Sequence, residues 1–465
     1  MKPCLAPLAA FATLAVSTVA TAPLVAQTSP PPLSLAQAIE ASLKFYPSIR
    51  VSQEQVNAAA ASIQLARTAY LPKIDALAQV NRASRNNVFG MLLPQSVIPS
   101  ISGPVIGSNN TGSVFGSALG GLVTWEPFDF GTRDASVAAA TAARAQSEAA
   151  VKRTQYEVIV NTADAYLTLV AAQETVKAAQ AGVEGAGVVL NTITAQVNTD
   201  LRPGADKSRA EAELAAARTQ LIQSEQAVAV AKATLSQFTG LDPAQIAISP
   251  GKLTQLPPDQ APTPLNAAAN PVAMEQDAAI EQARAQLRIL ERSYFPRFYL
   301  QGSLYARGTG ADVNGMRFGG VNGLAPTVQN YGLGFTVTFP LMDLPSLRAR
   351  EAAQSAAIRT QAARSEQIAV ELRAQWNRAV ANLEGARRIA ANVPVQVAAA
   401  RAATQQATAR YEAGFGDIDQ VAQAQRLLTQ AEIDEALARL SVWRGLLGIA
   451  AAAGDIRPFV SEAGQ

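Results

Sequence analysis

The sequence predicts a mainly α-helical protein with membrane β: an internally duplicated array of long helices forming an α-barrel, and four strands per chain that complete a β-barrel only when several copies pool them. Three observations carry this prediction. Arg133 to Thr199 contains no proline, and at 1.5 Å per residue one helix of that span runs about 100 Å, too long for a compact domain. Landmarks of the first half return in order in the second, at a spacing of roughly 214 to 224 residues, and such self-similarity has to be established before any other feature of a fold. Two segments of the second half alternate apolar and small or polar residues at period two, the signature of a strand with two different faces.

In chain order, Lys2, an apolar run to Ala22 and Leu24-Val25-Ala26 read as a cleaved export signal over residues 1–26. The first repeat covers residues 27–241. Ser34 caps a helix from Leu35, Pro47 interrupts it, and a second helix runs from about Ser48 to Ala69, where Tyr70-Leu71-Pro72 ends it. Strands follow at about residues 73–85 and 116–127, separated by a stretch rich in Gly, Ser, Asn and Pro. The long helix spans about residues 133–199, its Ala-rich start favouring helix. A helix over about residues 206–238 then carries Leu214, Leu221, Val228 and Leu235 at heptad spacing, with Ala217, Ser224, Ala231 and Phe238 as partners. A Pro/Ala-rich linker draped over the helices covers residues 242–270.

The second repeat, residues 271–455, matches Pro47 with Pro271, Tyr70-Leu71-Pro72 with Tyr294-Phe295-Pro296, Tyr166 with Trp376, and Gly240 with Gly454. It supplies strands at about residues 298–307 and 331–340, a long helix at about 347–413 and a helix at about 418–452; residues 456–465 form a tail. Gly182, Gly185 and Gly187 in the first long helix face Pro394 in the second, which predicts a bend or break at one level of both.

Tyr331, Leu333, Phe335, Val337 and Phe339 alternate with Gly332, Gly334, Thr336 and Thr338, the apolar-out, polar-in pattern of an outer-membrane barrel strand. Four strands cannot enclose a lumen, and open sheet edges are not tolerated in lipid. Two copies give eight strands, filled by side chains; three give twelve, wide enough to conduct. A trimer is therefore expected.

Composition excludes other classes. Lys and Arg number 38 against 36 Asp and Glu, so there is no basic excess for nucleic acid. There is no histidine, and the single cysteine is Cys4, which removes His-dependent triads and His- or thiolate-ligated metal sites. No enzyme activity, cofactor or metal is expected. Beyond the export signal, no window is expected to reach the apolar length of a spanning helix.

Taken together, the duplication, the Tyr-Leu-Pro and Tyr-Phe-Pro helix-to-strand junctions, Pro127-Phe128-Asp129 and Pro340-Leu341-Met342-Asp343, and above all Arg410-Tyr411-Glu412-Ala413-Gly414 followed by Val421-Ala422-Gln423-Ala424-Gln425 resemble the TolC-type outer-membrane efflux protein family. Asn87 to Leu93 resembles a loop of members serving resistance-nodulation-division pumps. The resemblance implies a homotrimeric channel in outer-membrane lipid, continued through the periplasm by the α-barrel and docked on a periplasmic adaptor protein and an inner-membrane pump. It places the functional residues at two helix-to-helix turns. Asp200, Leu201 and Arg202 in one, and Gly414, Phe415 and Gly416 in the other, would contact the adaptor; Asp206 and Tyr411 would hold the gate. The family's entrance aspartates fall at Gln420 and Gln423, and the arginine of one gate bridge falls at Gly416. Asp417 and Asp419 either supply a displaced anionic ring or stabilise the start of the following helix through its dipole.

A duct for small molecules or metals, a duct for secreted polypeptides, and a soluble periplasmic coiled-coil adaptor or scaffold are the functions to be separated. The last lacks two equivalent sets of paired strands.

Overall fold

A computed structural model describes residues 32–84, 112–199, 203–259, 261–312 and 316–463. The export signal, the Asn87–Leu93 motif and the turn residues Asp200, Leu201 and Arg202 lie outside them. The elements run α1 (Leu35–Phe45), α2 (Pro47–Thr68), β1 (Lys73–Ser84), β2 (Ser113–Phe128), α3 (Thr132–Asn198), α4 (Gly204–Thr239), α5 (Pro271–Arg292), β3 (Arg297–Thr309), β4 (Val328–Thr338), α6 (Leu344–Glu412), α7 (Ile418–Ala453) and α8 (Arg457–Ala463). The duplication is metric: α2 and α5 both have 22 residues, α3 has 67 and α6 has 69, and α4 and α7 both have 36. Pro47 and Pro271 each occupy a first helical position, where the missing N–H is no loss.

α3 packs along α4, α6 along α7, and α3 against α7; nearer the sheet α3 lies between α2 and α5, and α5 meets α6. The α4 seam follows the heptad, with Leu214, Ser224, Ala231 and Leu235 buried and Leu221, Val228 and Phe238 partly so. Neither long helix breaks at its expected weak point. α6 continues through Pro394 because Ala390, Val393, Val397 and Ala400 on either side are buried in one cluster with Ala431 and Ala438 of α7. In α3 the glycines answer a different need. A Cβ at Gly182 would stand 2.8 Å from Thr429 Oγ1, and one at Gly185 would stand 1.8 Å from Gln425 Nε2. They admit α7 at close range, at a helix-propensity cost of about 0.5–1 kcal/mol each.

The four strands form one antiparallel sheet in the order β1-β2-β3-β4. Directly opposed residues share a face, so the pairing Leu300↔Phe335, Gly302↔Leu333 and Leu304↔Tyr331 places these side chains together. Ile74, Val80, Leu119, Leu304, Tyr331, Leu333 and Phe335 are all exposed on that apolar side. The other face carries Gln301, Ser303, Tyr305 and Thr336. The register shifts between Trp125 and Phe128, where Pro127 has no N–H to give the ladder.

At the strand-to-helix joint the Asp129 carboxylate accepts from the backbone N–H of Gly131 (3.2 Å) and of Arg133 (2.6 Å), and from Arg133 Nε (3.0 Å). Both charged side chains are largely buried, and the guanidinium lies over the Tyr70 ring, 4.7 Å from its centroid. Burial pushes the Asp129 carboxyl up, but the hydrogen bonds and charge of Arg133 outweigh it and hold the group below the ordinary carboxylate range. A depressed carboxylate stabilises above its unfolded pKa, and that stability is lost as pH falls through the folded value.

The linker is clasped by aromatic donors. Tyr166 donates to the carbonyls of Leu33 (2.9 Å) and Ser249 (2.6 Å), Trp376 Nε1 to Thr263 (2.9 Å), and Trp443 Nε1 to Gln255 (2.9 Å). Burial raises the Tyr166 phenol against a smaller opposing pull from Ser249, so the hydroxyl stays a donor. Ile246, Ile248 and Leu253 sink into the main core beside Leu167, Trp443 and Leu447. The segment expected to be a tail contains α8, whose Phe459 meets Trp443 edge-on at 6.1 Å. α7 reaches a mean hydropathy of 1.3 in one window, enough by composition for a membrane span and contrary to expectation. Its apolarity has another cause: 61% of that window is buried inside the bundle.

Gly182→Leu should destabilise the helical bundle by about 1–3 kcal/mol through overpacking against Thr429, read as a lower urea midpoint of the detergent-solubilised protein. Asp129→Asn should cost about 3 kcal/mol near neutral pH by leaving Arg133 buried and unpaired. Its difference from wild type should begin to shrink as the pH falls below about 4, the ordinary carboxylate value, and be lost as the pH passes the lower value at which the native carboxylate protonates.

Candidate functional site

α3 ends at Asn198 and α4 begins at Gly204, while α6 ends at Glu412 and α7 begins at Ile418. The two helix-to-helix turns therefore lie at one end of the bundle, remote along α3 and α6 from the sheet. A small core ties them together: Ile193 of α3, Ala210 of α4, Tyr411 of α6, and Ile418 and Val421 of α7. Four helices meet on the Tyr411 ring, which is 3% exposed. Its hydroxyl donates to Asp206 Oδ2 at 3.3 Å, so the ring fills the core while its polar end reaches across to α4.

The α6–α7 turn is a left-handed cap. Gly414 has φ of +81°, its N–H donates to the Tyr411 carbonyl (3.1 Å), and the Phe415 N–H donates to the Arg410 carbonyl (2.9 Å). These are the paired bonds of a Schellman motif, which usually adds an apolar contact from the residue after the glycine back onto the helix. Here that residue is Phe415, and it is 81% exposed. A Cβ at Gly416 would stand 2.9 Å from the Tyr411 nitrogen, so the chain returns tightly against the end of α6. The turn thus holds a bare phenyl ring outward on a rigid loop.

Asp417 is the N-cap of α7, its Oδ1 accepting from the Asp419 N–H at 3.5 Å; it carries no ion pair among the described residues. Asp419 pairs with Arg209 of α4. Gln420 and Gln423 are exposed, one helical turn apart on α7. Glu213 of α4 pairs with Arg426 of α7. Reading the sequence passed over Arg209, Glu213 and Arg426. The signal was there: Asp206, Arg209 and Glu213 recur at helical spacing beside the Ala210–Leu214–Ala217 seam of α4.

This geometry defines a class: a duplicated protomer of a helical tube, with a membrane sheet at one end and a cross-tied hairpin tip at the other. The outer membrane efflux protein family model matches residues 38–241 and 266–455, and the chain belongs to that family. Protein CyaE of Bordetella pertussis is 26% identical over 446 residues, spanning 94% of this chain and 88% of that one. Among solved structures, the outer-membrane channel OprN superposes with a TM-score of 0.69 at 21% identity, covering 90% of this chain and 89% of that one. The outer membrane channel CmeC of Campylobacter jejuni gives 0.71 at 15% identity, covering 93% and 89%. The fold is that of outer-membrane channels, as the sequence predicted, with a helical barrel below membrane strands.

Tyr411→Phe should keep the four-helix core filled and remove one hydrogen bond, a loss of about 0.5–1.5 kcal/mol confined to the tip. Amide exchange should accelerate over the first turns of α4 and α7 and stay unchanged around Tyr166.

Proposed function

We propose that three copies assemble into a closed barrel in the outer membrane, with their helices continuing as a tunnel through the periplasm. There the protein serves as the passive exit duct of a tripartite efflux pump. The observation that carries this reading is the sheet itself. Its four strands expose an apolar face and, among the described residues, end in two unpaired edges, β1 and β4, and lipid offers those edges no partner. β4 of one copy pairing with β1 of the next satisfies both, and three copies give a conducting bore.

In this reading the hairpin tip docks on a periplasmic adaptor, fed by an inner-membrane pump of the resistance-nodulation-division type. Phe415 and the flanking Gly414 and Gly416 form one docking turn; Asp200, Leu201 and Arg202 form the other. Tyr411 and Asp206 belong to the gate. Asp417 and Asp419 ring the entrance in three copies, and Gln420 and Gln423 line it without charge. Small molecules or metal ions are the proposed cargo.

Gly414→Pro, or Phe415→Asp, should abolish export in a strain lacking the chromosomal copy while trimers persist in the outer-membrane fraction. Disappearance of the trimers would make these positions structural. Export of a polypeptide, with drug and metal tolerance unaffected by deletion, would favour the secretion duct instead. Asp417→Ala with Asp419→Ala should lower the cation preference of single channels, read as a reversal potential closer to zero in a salt gradient.

A further inference from the structure

The polar face of the sheet carries its charge unevenly. Strand pairing sets Gln79, Ala118, Arg307 and Val328 side by side at one level of that face. Arg307 lies ten residues beyond Arg297, where β3 leaves the helices, and that is about 33 Å along the strand. At the usual barrel tilt this spans the height of the membrane band, about 25 Å, which puts Arg307 at the outer mouth. Its backbone is held on both sides, by pairing with Ala118 and by its carbonyl accepting from the Thr327 N–H at 3.1 Å. The guanidinium makes no ion pair among the described residues. No acidic residue shares its level. Lys73 and Asp75 stand two residues apart near the helix joint, where their charges offset each other. Arg82 belongs to the apolar face, 5.0 Å over the Phe115 ring, and Asp312 and Arg317 beyond β3 are of opposite sign. The inward residues of β2 around Arg307 are Gly116, Ala118 and Gly120, so that strand raises no bulky side chain against it. Tyr305, one inward step nearer the helices, adds a phenolic donor.

From this arrangement we infer that the three Arg307 side chains of the assembled barrel form a cationic ring inside its outer mouth that binds anionic solutes: carboxylates, sulfates and phosphates. The inference rests on the trimeric channel reading above. A guanidinium presents a fixed fork of N–H donors that matches such oxyanions, and rings of Arg or Lys select anions in pores. Symmetry turns one unpaired residue into three charges around a single axis. In this reading the two ends of the tunnel differ in sign, with Asp417 and Asp419 at the hairpin tip and Arg307 at the mouth. An anionic solute leaving the tunnel is held at the rim, and one approaching from outside meets the ring first.

Single-channel recording of full-length trimers in planar bilayers of zwitterionic lipid tests the ring, with tripolyphosphate as the probe. It is added on the barrel side in about 0.1 M KCl, where the screening length is about 10 Å, and should block the wild-type current. Arg307→Gln should raise the half-blocking concentration about tenfold and leave the unblocked conductance of the open channel in place. Should Arg307→Gln trimers fail to assemble, Gln79→Glu decides in their stead. It sets a carboxylate two strands away at the same level, with Arg307 untouched, and should weaken the block several-fold. A wild-type channel that tripolyphosphate does not block overturns the ring and leaves the channel reading standing. So does a block that the deciding variant fails to shift. Absence of conductance from wild type and every variant removes the channel reading itself.

Discussion

Every backbone amide placed in hydrocarbon needs a hydrogen-bonded partner, and a four-stranded sheet leaves two edges without one. The rest of the molecule answers to that constraint. Closure must come from other copies, so the strands must be displayed at a fixed tilt and level by whatever lies beneath them. The strand-to-helix joint provides this: Asp129 and Arg133 lock the exit of β2 to the first turn of α3, and Trp125 Nε1 ties the end of β2 to the Tyr70 carbonyl at 3.1 Å. From that anchor the long helices run to the tip in register. The position of Tyr411 is thereby set from the membrane downward.

Along the helices, contact is made by small residues more than by large ones. Alanine and glycine dominate the α3–α7 and α6–α7 seams. They let backbones approach closely and leave little apolar bulk to oppose separation. The large side chains concentrate at the linker level, where Tyr166, Leu167, Leu169 and Trp443 are fully buried. The main core thus lies at the waist, with a smaller one of Ile193, Tyr411, Ile418 and Val421 at the tip.

Much of this was legible in the sequence. The first long helix advertises itself by the absence of proline, and the strands by period-two alternation, since each pattern follows from one backbone geometry. At two features the expected break is absent. Pro394 and the Gly182–Gly187 cluster are helix breakers by local propensity, yet burial of Val393 and Val397 carries one helix through and the approach of Thr429 and Gln425 explains two of the glycines in the other. Tertiary contact overrode propensity, and the contact partners lie more than 200 residues away for the glycines. α8 carries no periodic signal, because seven residues give too few periods to read; its Phe459 packs on Trp443. At the tip, Tyr411 and Asp206 could be placed by motif; helical spacing sets Arg209 and Glu213 beside the α4 seam, but their partners Asp419 and Arg426 follow only from how α7 packs there.

The aromatic clasp also sets what light can see. The chain has three tryptophans: Trp125 sits at the helix-joint end of its strand, and Trp376 and Trp443 hold the linker with their indole N–H groups. None lies near the hairpin tip. Native indole emission therefore reports the membrane rim and the waist and stays dark to the entrance. An indole placed at Phe415, already solvent-facing on its turn, would report from the one region the native three do not reach. Binding at the tip could then be followed optically in the intact assembly against a constant internal background.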